Sequence, residues 1–340
     1  MRAVAPVVVY FAYLFASSVL SEFPAEAQWW AAADSIGVVV LFLFFTLTRN
    51  QSLSAVSGLF VRVMLTGVIV AVTLGMLQQG KNRLGGYTLV FLAAGVPYAW
   101  SELVRGRRRW RAFAALLCSI GVLLVSRSRA PAAGGMLALF LAWLFIAKGT
   151  VQRFKTAVVG GVVVVALIGG IMAFVPTRVM FLTSFARLIG HDVVLGDLYI
   201  KRGARDSVRS NLDALVAQYF WEVQPFGLGY MTTGKLYARH FGTEARSLHN
   251  VFQAWAFEGG LICLFLVAAI LLRQFFALRV AVRFAPSAEA AAFARATAIA
   301  TVTVLLIGLF HQVHQGPFLW VFLGVGLALR DRIGDDSHRP

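Results

Sequence analysis

Residues 57–77 read Ser-Gly-Leu-Phe-Val-Arg-Val-Met-Leu-Thr-Gly-Val-Ile-Val-Ala-Val-Thr-Leu-Gly-Met-Leu, and a single charged side chain, Arg62, interrupts them. A hydrocarbon core of about 30 Å is crossed by about 20 apolar residues in a helix. A helix is the open-ended form that satisfies its own backbone polar groups without water. Arg62 stands near one end, where its long stem can carry the charge back to the interface. The stretch predicts a transmembrane helix, and it has company. Comparable runs lie near 4–20, 31–48, 84–101, 110–126, 130–147, 156–175, 250–272, 293–310 and 316–330, so ten spans are expected. Glu22 and Glu26 follow the first run with no clean small-residue cleavage site, which argues against a secretory signal.

The composition of the 340 residues agrees. Hydrophobic residues make up 59% and charged residues 14%, with a mean hydropathy of +0.76. Soluble domains have roughly 45–50% apolar and about 25% charged residues. A water-soluble globule and a disordered chain are both excluded. The net charge of +16 does not call for a nucleic-acid partner, because its distribution has another explanation. With the N-terminus inside, the inner segments carry Arg2, Arg49, Arg105, Arg107, Arg108, Arg109, Arg111, Lys148, Arg153 and Lys155, and later Arg273, Arg279, Arg283, Arg295, Arg330, Arg332 and Arg339. The short outer loops hold only Lys81, Arg83, Arg127 and Arg129. Such a bias in short loops sets orientation. Both termini are therefore expected in the cytoplasm. Cys118 and Cys263 sit in apolar runs, so neither a disulfide framework nor a paired-cysteine metal site is expected.

One long hydrophilic stretch remains, 176–249, with nine Lys/Arg and six Asp/Glu. It divides the chain into an N-terminal bundle (1–175, about seven spans), an outer loop domain (176–249) and a C-terminal bundle with a cytoplasmic tail (250–340, about three spans). Within the loop, Val208, Leu212, Leu215, Val216, Tyr219 and Phe220 recur at helical spacing and form one apolar stripe. Asp206 or Ser207 can cap the start, and Pro225-Phe226-Gly227-Leu228-Gly229 is expected to end the helix. Arg205, Arg209 and Asp213, four residues apart, share another face. This amphipathic helix is expected to lie on the outer surface and to turn its arginines toward the interface or a cleft.

Several polar residues are candidates for chemistry. Arg127 and Arg129, in Ser126-Arg127-Ser128-Arg129, oppose the inside-positive trend. Guanidinium groups bind phosphate oxygens through a two-pronged fork, though headgroup anchoring explains them too. His249, beside Asn250 where the loop re-enters the membrane, has an imidazole suited to a general base near neutral pH; an interfacial histidine can equally be structural. Glu258 falls inside the expected 250–272 span, at a depth where a carboxylate needs a partner; structural bonding to a neighbouring loop or helix explains it at least as well as catalysis. Gly259 and Gly260 beside it permit another helix to come close. His311 and His314 close the ninth span; two ligands do not make a zinc site, and they either line the same cleft or cap a helix. No GxxxxGK[ST], GxGxxG, DxD, HExxH or GxSxG occurs. Nor do two halves carry broken helices with ions at mid-membrane, which weakens a transporter or flippase reading.

Three of these pieces, in order, resemble the bacterial O-antigen ligase and O-antigen polymerase superfamily of membrane glycosyltransferases. They are Ser128-Arg129-Ala130 at an outer turn, Arg209 ahead of Pro225-Phe226-Gly227-Leu228-Gly229, and His249-Asn250 followed by Glu258-Gly259-Gly260. The resemblance covers about 118–275. It departs at Asp213, where an aromatic is usual, at Cys263, where a glycine is usual, and in having ten rather than about twelve spans. The resemblance implies an all-α polytopic membrane protein of about ten transmembrane helices, GT-C-like, with one long periplasmic loop containing amphipathic helices. It also implies an inverting, metal-independent enzyme without cofactors in the bacterial inner membrane, working at the periplasmic face. The donor would be an undecaprenyl-diphosphate-linked glycan, and the acceptor either lipid A–core or another lipid-linked glycan. Membrane lipids are its other partners, and nucleic acid is not one. In that scheme Arg129 and Arg209, helped by Arg127 and Arg205, hold the diphosphate. His249 is the base, and Glu258, Asn250, His311 and His314 support the site.

Overall fold

The computed structural model describes residues 5–77, 84–106, 109–125, 129–146, 193–195, 198–200, 207–243, 248, 250–309 and 318–337, with isolated positions between 154 and 182. Helices α1 (Ala5–Val19), α2 (Pro24–Asp34), α3 (Ile36–Asn50), α4 (Leu53–Leu77), α5 (Leu84–Val104), α6 (Arg109–Val125) and α7 (Arg129–Ile146) follow the first six apolar runs, the second of them divided at Ser35. After them come the strands β1 (Val193–Leu195) and β2 (Leu198–Ile200), then α8 (Ser207–Tyr219), α9 (Thr233–Phe241), α10 (Val251–Phe257), α11 (Gly260–Arg283), α12 (Ala288–Gly308) and α13 (Phe318–Ser337). Among the described residues, four stretches are long and apolar enough to cross a membrane: Pro24–Asn50, Leu53–Thr73, Gly260–Arg283 and Ala288–Gly308. Ala5–Val19, Thr88–Val104 and Ala130–Ile146 are shorter apolar helices. Of the run at 156–175 only isolated positions are described.

Two expectations change. The run at 250–272 is not one helix. It breaks at Glu258-Gly259, and the apolar span begins at Gly260, which has a φ of +78°. The loop helix α8 stops at Tyr219, ahead of Pro225; the amides of Glu222 and Val223 both turn back to the Tyr219 carbonyl, at 3.1 and 3.3 Å. The stretch at 176–204, whose fold is left open by its sequence, contains the antiparallel pair β1–β2, with Val193 opposite Ile200 and Leu195 opposite Leu198.

The chain forms two compact units, each drawn from separated stretches. The first comprises Met1–Asn50, Arg205–Ala285 and Gly308–Pro340. In it Trp320 of α13 packs on Tyr10 and Phe11 of α1, at ring separations of 5.6 and 5.0 Å. Buried Gln274 of α11 donates to the Phe322 carbonyl of α13 at 2.9 Å, and Arg332 donates to the Thr48 carbonyl at the end of α3 at 3.0 Å. Such bonds give buried polar groups the partners that apolar surroundings withhold.

The second unit comprises Gln51–Ala204 and Pro286–Ile307. Helix α5 lies at its centre, against α4, α6 and α7. Tyr98 stacks on Phe60 at 4.2 Å and gives its hydroxyl proton to Thr297 of α12 at 2.9 Å. Near the end of α5, Arg105 pairs with Glu289 at 2.8 Å and lies 3.6 Å from buried Glu102.

Candidate functional site

The loop helix α8 buries the stripe read from the sequence. Leu212, Leu215 and Val216 are buried, and Tyr219 and Phe220 are partly so, in a small core with Leu228, Leu236, Tyr237, Leu248, Ala254 and Phe257. That core joins α8 to α9 and α10. Burial of such side chains is worth roughly 1.5–3 kcal/mol each, which explains how so short a helix as α10 is held. Polar links reinforce the same three helices. Tyr219 donates to Nε2 of His240 at 2.8 Å, while Nδ1 of His240 faces the Leu236 carbonyl at 3.0 Å and donates to it. The Gln253 amide of α10 donates to Asp213 of α8 at 3.4 Å. Asn250 caps α10, its side-chain oxygen accepting from the amides of Phe252 and Gln253 at 2.9 and 3.3 Å. An Asn in this role satisfies amides that the helix itself leaves unpaired.

Around this core, the Pro225–Gly229 segment docks on the break that holds Glu258. The amide of Leu228 donates to the Phe257 carbonyl at 2.9 Å, and that of Gly229 to the Glu258 carbonyl at 3.0 Å. Gln224 clamps the join from one end, donating to the Ala256 carbonyl at 3.0 Å and accepting from the Leu261 amide at 2.8 Å. From α1, Tyr13 donates to the Gly259 carbonyl at 2.8 Å. The two backbones approach so closely that side chains are excluded. A Cβ on Gly227 would strike the Glu258 carbonyl and the Gly260 amide, and one on Gly260 would strike the Pro225 carbonyl. Both glycines also have positive φ, +83° and +78°, which other residues adopt at a cost. Gly227 and Gly260 therefore owe their identity to each other.

Glu258 is fully buried. Its two carboxyl oxygens accept from the amides of Met231, at 3.1 Å, and Thr233, at 3.3 Å, where α9 begins. Burial pushes the carboxyl up from 4.5 to about 7, against the pull of those hydrogen bonds. The expectation that Glu258 lies deep in a span is corrected: it stands ahead of the span, in a buried turn, and its structural partner is the turn that leads into α9. Tyr230, one residue before Met231, is buried and donates to Oδ2 of half-buried Asp34 at 3.0 Å. Burial and then the Asp34 charge push the Tyr230 phenol well above its ordinary range, so it remains a donor. Ser21 donates to the Leu228 carbonyl at 2.8 Å, Lys235 pairs with Glu26 at 3.0 Å, and Arg239 with Glu22 at 2.9 Å.

The sequence candidates fare unequally. Glu258 and Asn250 are placed, and both are engaged with backbone amides. Arg209 lies on α8, one turn before Asp213, and Arg129 opens α7; both are described as backbone only. Arg127, Arg205, His249, His311 and His314 lie outside the described residues. The bond between Gln253 and Asp213 nevertheless ties the helix bearing Arg209 to the helix that starts just after His249. Sequence reading missed Asp34, Tyr230 and the whole of α9. Thr232 and Gly242, which flank α9, were its only local signal, and Gly242 does close it in the left-handed conformation.

No family model matches the chain, and no curated protein matches it. Its fold has a solved counterpart. The chain is similar to one from the structure described as "Structural coordination of polymerization and crosslinking by a peptidoglycan synthase complex", with a TM-score of 0.54 and 15% identity, over 100% of this chain and 98% of that one. At that identity the likeness is one of fold.

Proposed function

We propose that this chain is a membrane glycosyltransferase that moves a glycan from an undecaprenyl-diphosphate donor to a sugar hydroxyl at the periplasmic face, in the manner of an O-antigen ligase. The observation that carries this reading is the docking of Pro225–Gly229 on Glu258–Gly260. Two segments of the resemblance, distant in sequence, form one packed piece. Asn250, from the third segment, caps the helix that leads into it. A chance likeness in composition gives no reason for those segments to pack on each other.

In the proposed reaction the anomeric carbon loses its bond to a diphosphate oxygen and gains one to the acceptor oxygen. Arg129 and Arg209, assisted by Arg127 and Arg205, hold the charge that builds on the departing diphosphate. Fixed donors aimed at developing charge are commonly the largest catalytic contribution. His249 takes the acceptor's proton. Attack opposite the leaving group inverts the centre. Asn250 and Glu258 hold the surrounding backbone, and His311 and His314 are assigned to the same outer side.

A second reading, polymerase rather than ligase, is favoured by the fold likeness to a chain of a complex described by its polymerization activity. One experiment separates the two. In a deletion strain, lipid-linked long glycans accumulate if the protein is a ligase, and single repeats replace long chains if it is a polymerase. Complementation with His249→Ala or Arg209→Ala is expected to restore nothing, with the protein still inserted. Full surface glycan in the His249→Ala strain removes the base assignment, and an unchanged profile in the deletion strain removes the reading.

A further inference from the structure

Asp34 is an ionisable residue inside the apolar stretch Pro24–Asn50, at the point where α2 ends and Ser35 interrupts the helix. Charged side chains in such stretches are rare and find partners. Its partner, Tyr230, comes from 196 residues away and donates to it at 3.0 Å. Tyr230 sits between Gly229, at φ +119°, and Met231, at φ +63°. A side chain as large as that of methionine rarely adopts such a φ, and strain of this kind persists where its surroundings over-determine it. Three holds converge on the turn: Ser21 on the Leu228 carbonyl, Glu258 on the Met231 and Thr233 amides, and Asp34 on the Tyr230 hydroxyl.

We propose that Asp34 is a positioning residue of the site: through Tyr230 it locks the Gly229–Met231 turn in the conformation that offers the Met231 and Thr233 amides to Glu258 and seats Pro225–Gly229. The role in turnover rests on the glycosyltransferase reading; the lock itself does not. Asp34 touches no reacting atom in this scheme. Its effect passes through the turn, so it changes the rate of the transfer step more than the capture of donor.

The test uses the full chain in lipid nanodiscs, with hydrogen exchange at the 229–233 amides and glycan transfer from a lipid-linked donor measured on the same preparations. Tyr230→Phe removes the donor with little change of shape, and Asp34→Leu removes the acceptor. Both are expected to speed exchange at Met231 and Thr233 and to lower kcat at least about tenfold, the scale of a lost hydrogen bond to a charged group, with the donor KM little changed. Asp34→Asn, whose amide oxygen can still accept, is expected to recover exchange protection and most of the turnover. The double variant should be no worse than either single one. Exchange in Tyr230→Phe equal to wild type overturns the lock, and faster exchange with unchanged kcat overturns the positioning role. If the wild type transfers no glycan, the glycosyltransferase reading fails while the exchange comparison still decides the lock.

Discussion

Replacing Glu258 by Gln should make the protein more stable at alkaline pH. Glutamine is nearly isosteric and spares the protein the free energy of ionising a buried carboxyl, but its single acceptor oxygen keeps only one of the Met231 and Thr233 amides, a loss of about 1 kcal/mol. Burial raises the folded-state value from 4.5 to about 7. The unfolded chain therefore releases this proton at lower pH than the folded one does. Stability from the group is fully present below pH 4.5, declines as pH rises toward 7, and is then lost. With 1.36 kcal/mol for each pH unit, the difference above pH 7 is about 3 kcal/mol. Unfolding can be followed through Cys263, which is fully buried and becomes reactive to a maleimide dye when the fold opens. Exposed Cys118 would be changed to Ser in both proteins to remove its background. The net gain is then about 2 kcal/mol, and at roughly 2 °C per kcal/mol for a large chain Glu258→Gln should unfold about 4 °C higher at pH 8. Below pH 4.5, where tryptophan fluorescence replaces the thiol dye, it should be slightly less stable than wild type, by the amide bond it lacks. A wild type that is more stable than the variant at pH 8 would refute the reasoning. The two amide hydrogen bonds would then offset most of the cost of burial, and the folded carboxyl would titrate well below 7.

Three further outcomes follow from the same geometry. Gly260→Ala places a Cβ on the Pro225 carbonyl at positive φ. It should cost more than the ~1–2 kcal/mol of the left-handed backbone alone, read as a lower unfolding temperature and faster proteolysis near 225–233. Asn250→Ala removes the cap of α10 and should cost ~1 kcal/mol, whereas Asn250→Asp, which keeps the acceptor, should cost little in the same melting assay. Arg209→Lys keeps charge but loses the guanidinium fork; under the proposed reaction its initial transfer rate should remain close to that of Arg209→Ala, and a wild-type rate would argue against two-pronged phosphate binding.

Long apolar runs made the helices legible. A stretch such as 57–77 has few alternatives in water or lipid, and helices occur at the described runs. The exception is instructive. Residues 250–272 are apolar enough for one helix, but hydropathy counts side chains and is blind to φ. Gly259 and Gly260 suggested a site of close approach, and that was sound. What approaches, however, is the Pro225–Gly227 backbone rather than a helix, and accommodating it requires the break. Helix α9 stayed hidden because nine residues give too little periodicity to separate from a loop, and its charged residues, Lys235 and Arg239, pair with Glu26 and Glu22 far away in the chain. The Asp34–Tyr230 pair was beyond reach for the same reason. Neither residue has a local pattern, and only the fold brings them together.

Motif residues can be legible for two different reasons, packing and chemistry, and the structure accounts for one group by packing. Gly227, Gly260 and Glu258 are accounted for by packing: two glycines that admit each other's backbone, and a carboxylate that receives two amides. Lost activity after changing any of them would report a disturbed turn and would not make that residue catalytic. Asn250 belongs with them, since its side chain is occupied as a cap. Under the proposed reaction the chemistry falls on Arg209, which lies on α8, and on His249, which precedes α10 in the sequence. A substitution there that leaves unfolding temperature and the exchange of the 229–233 amides unchanged, yet removes transfer, would separate chemistry from architecture. The same loss accompanied by a softened turn would assign those residues to the scaffold as well.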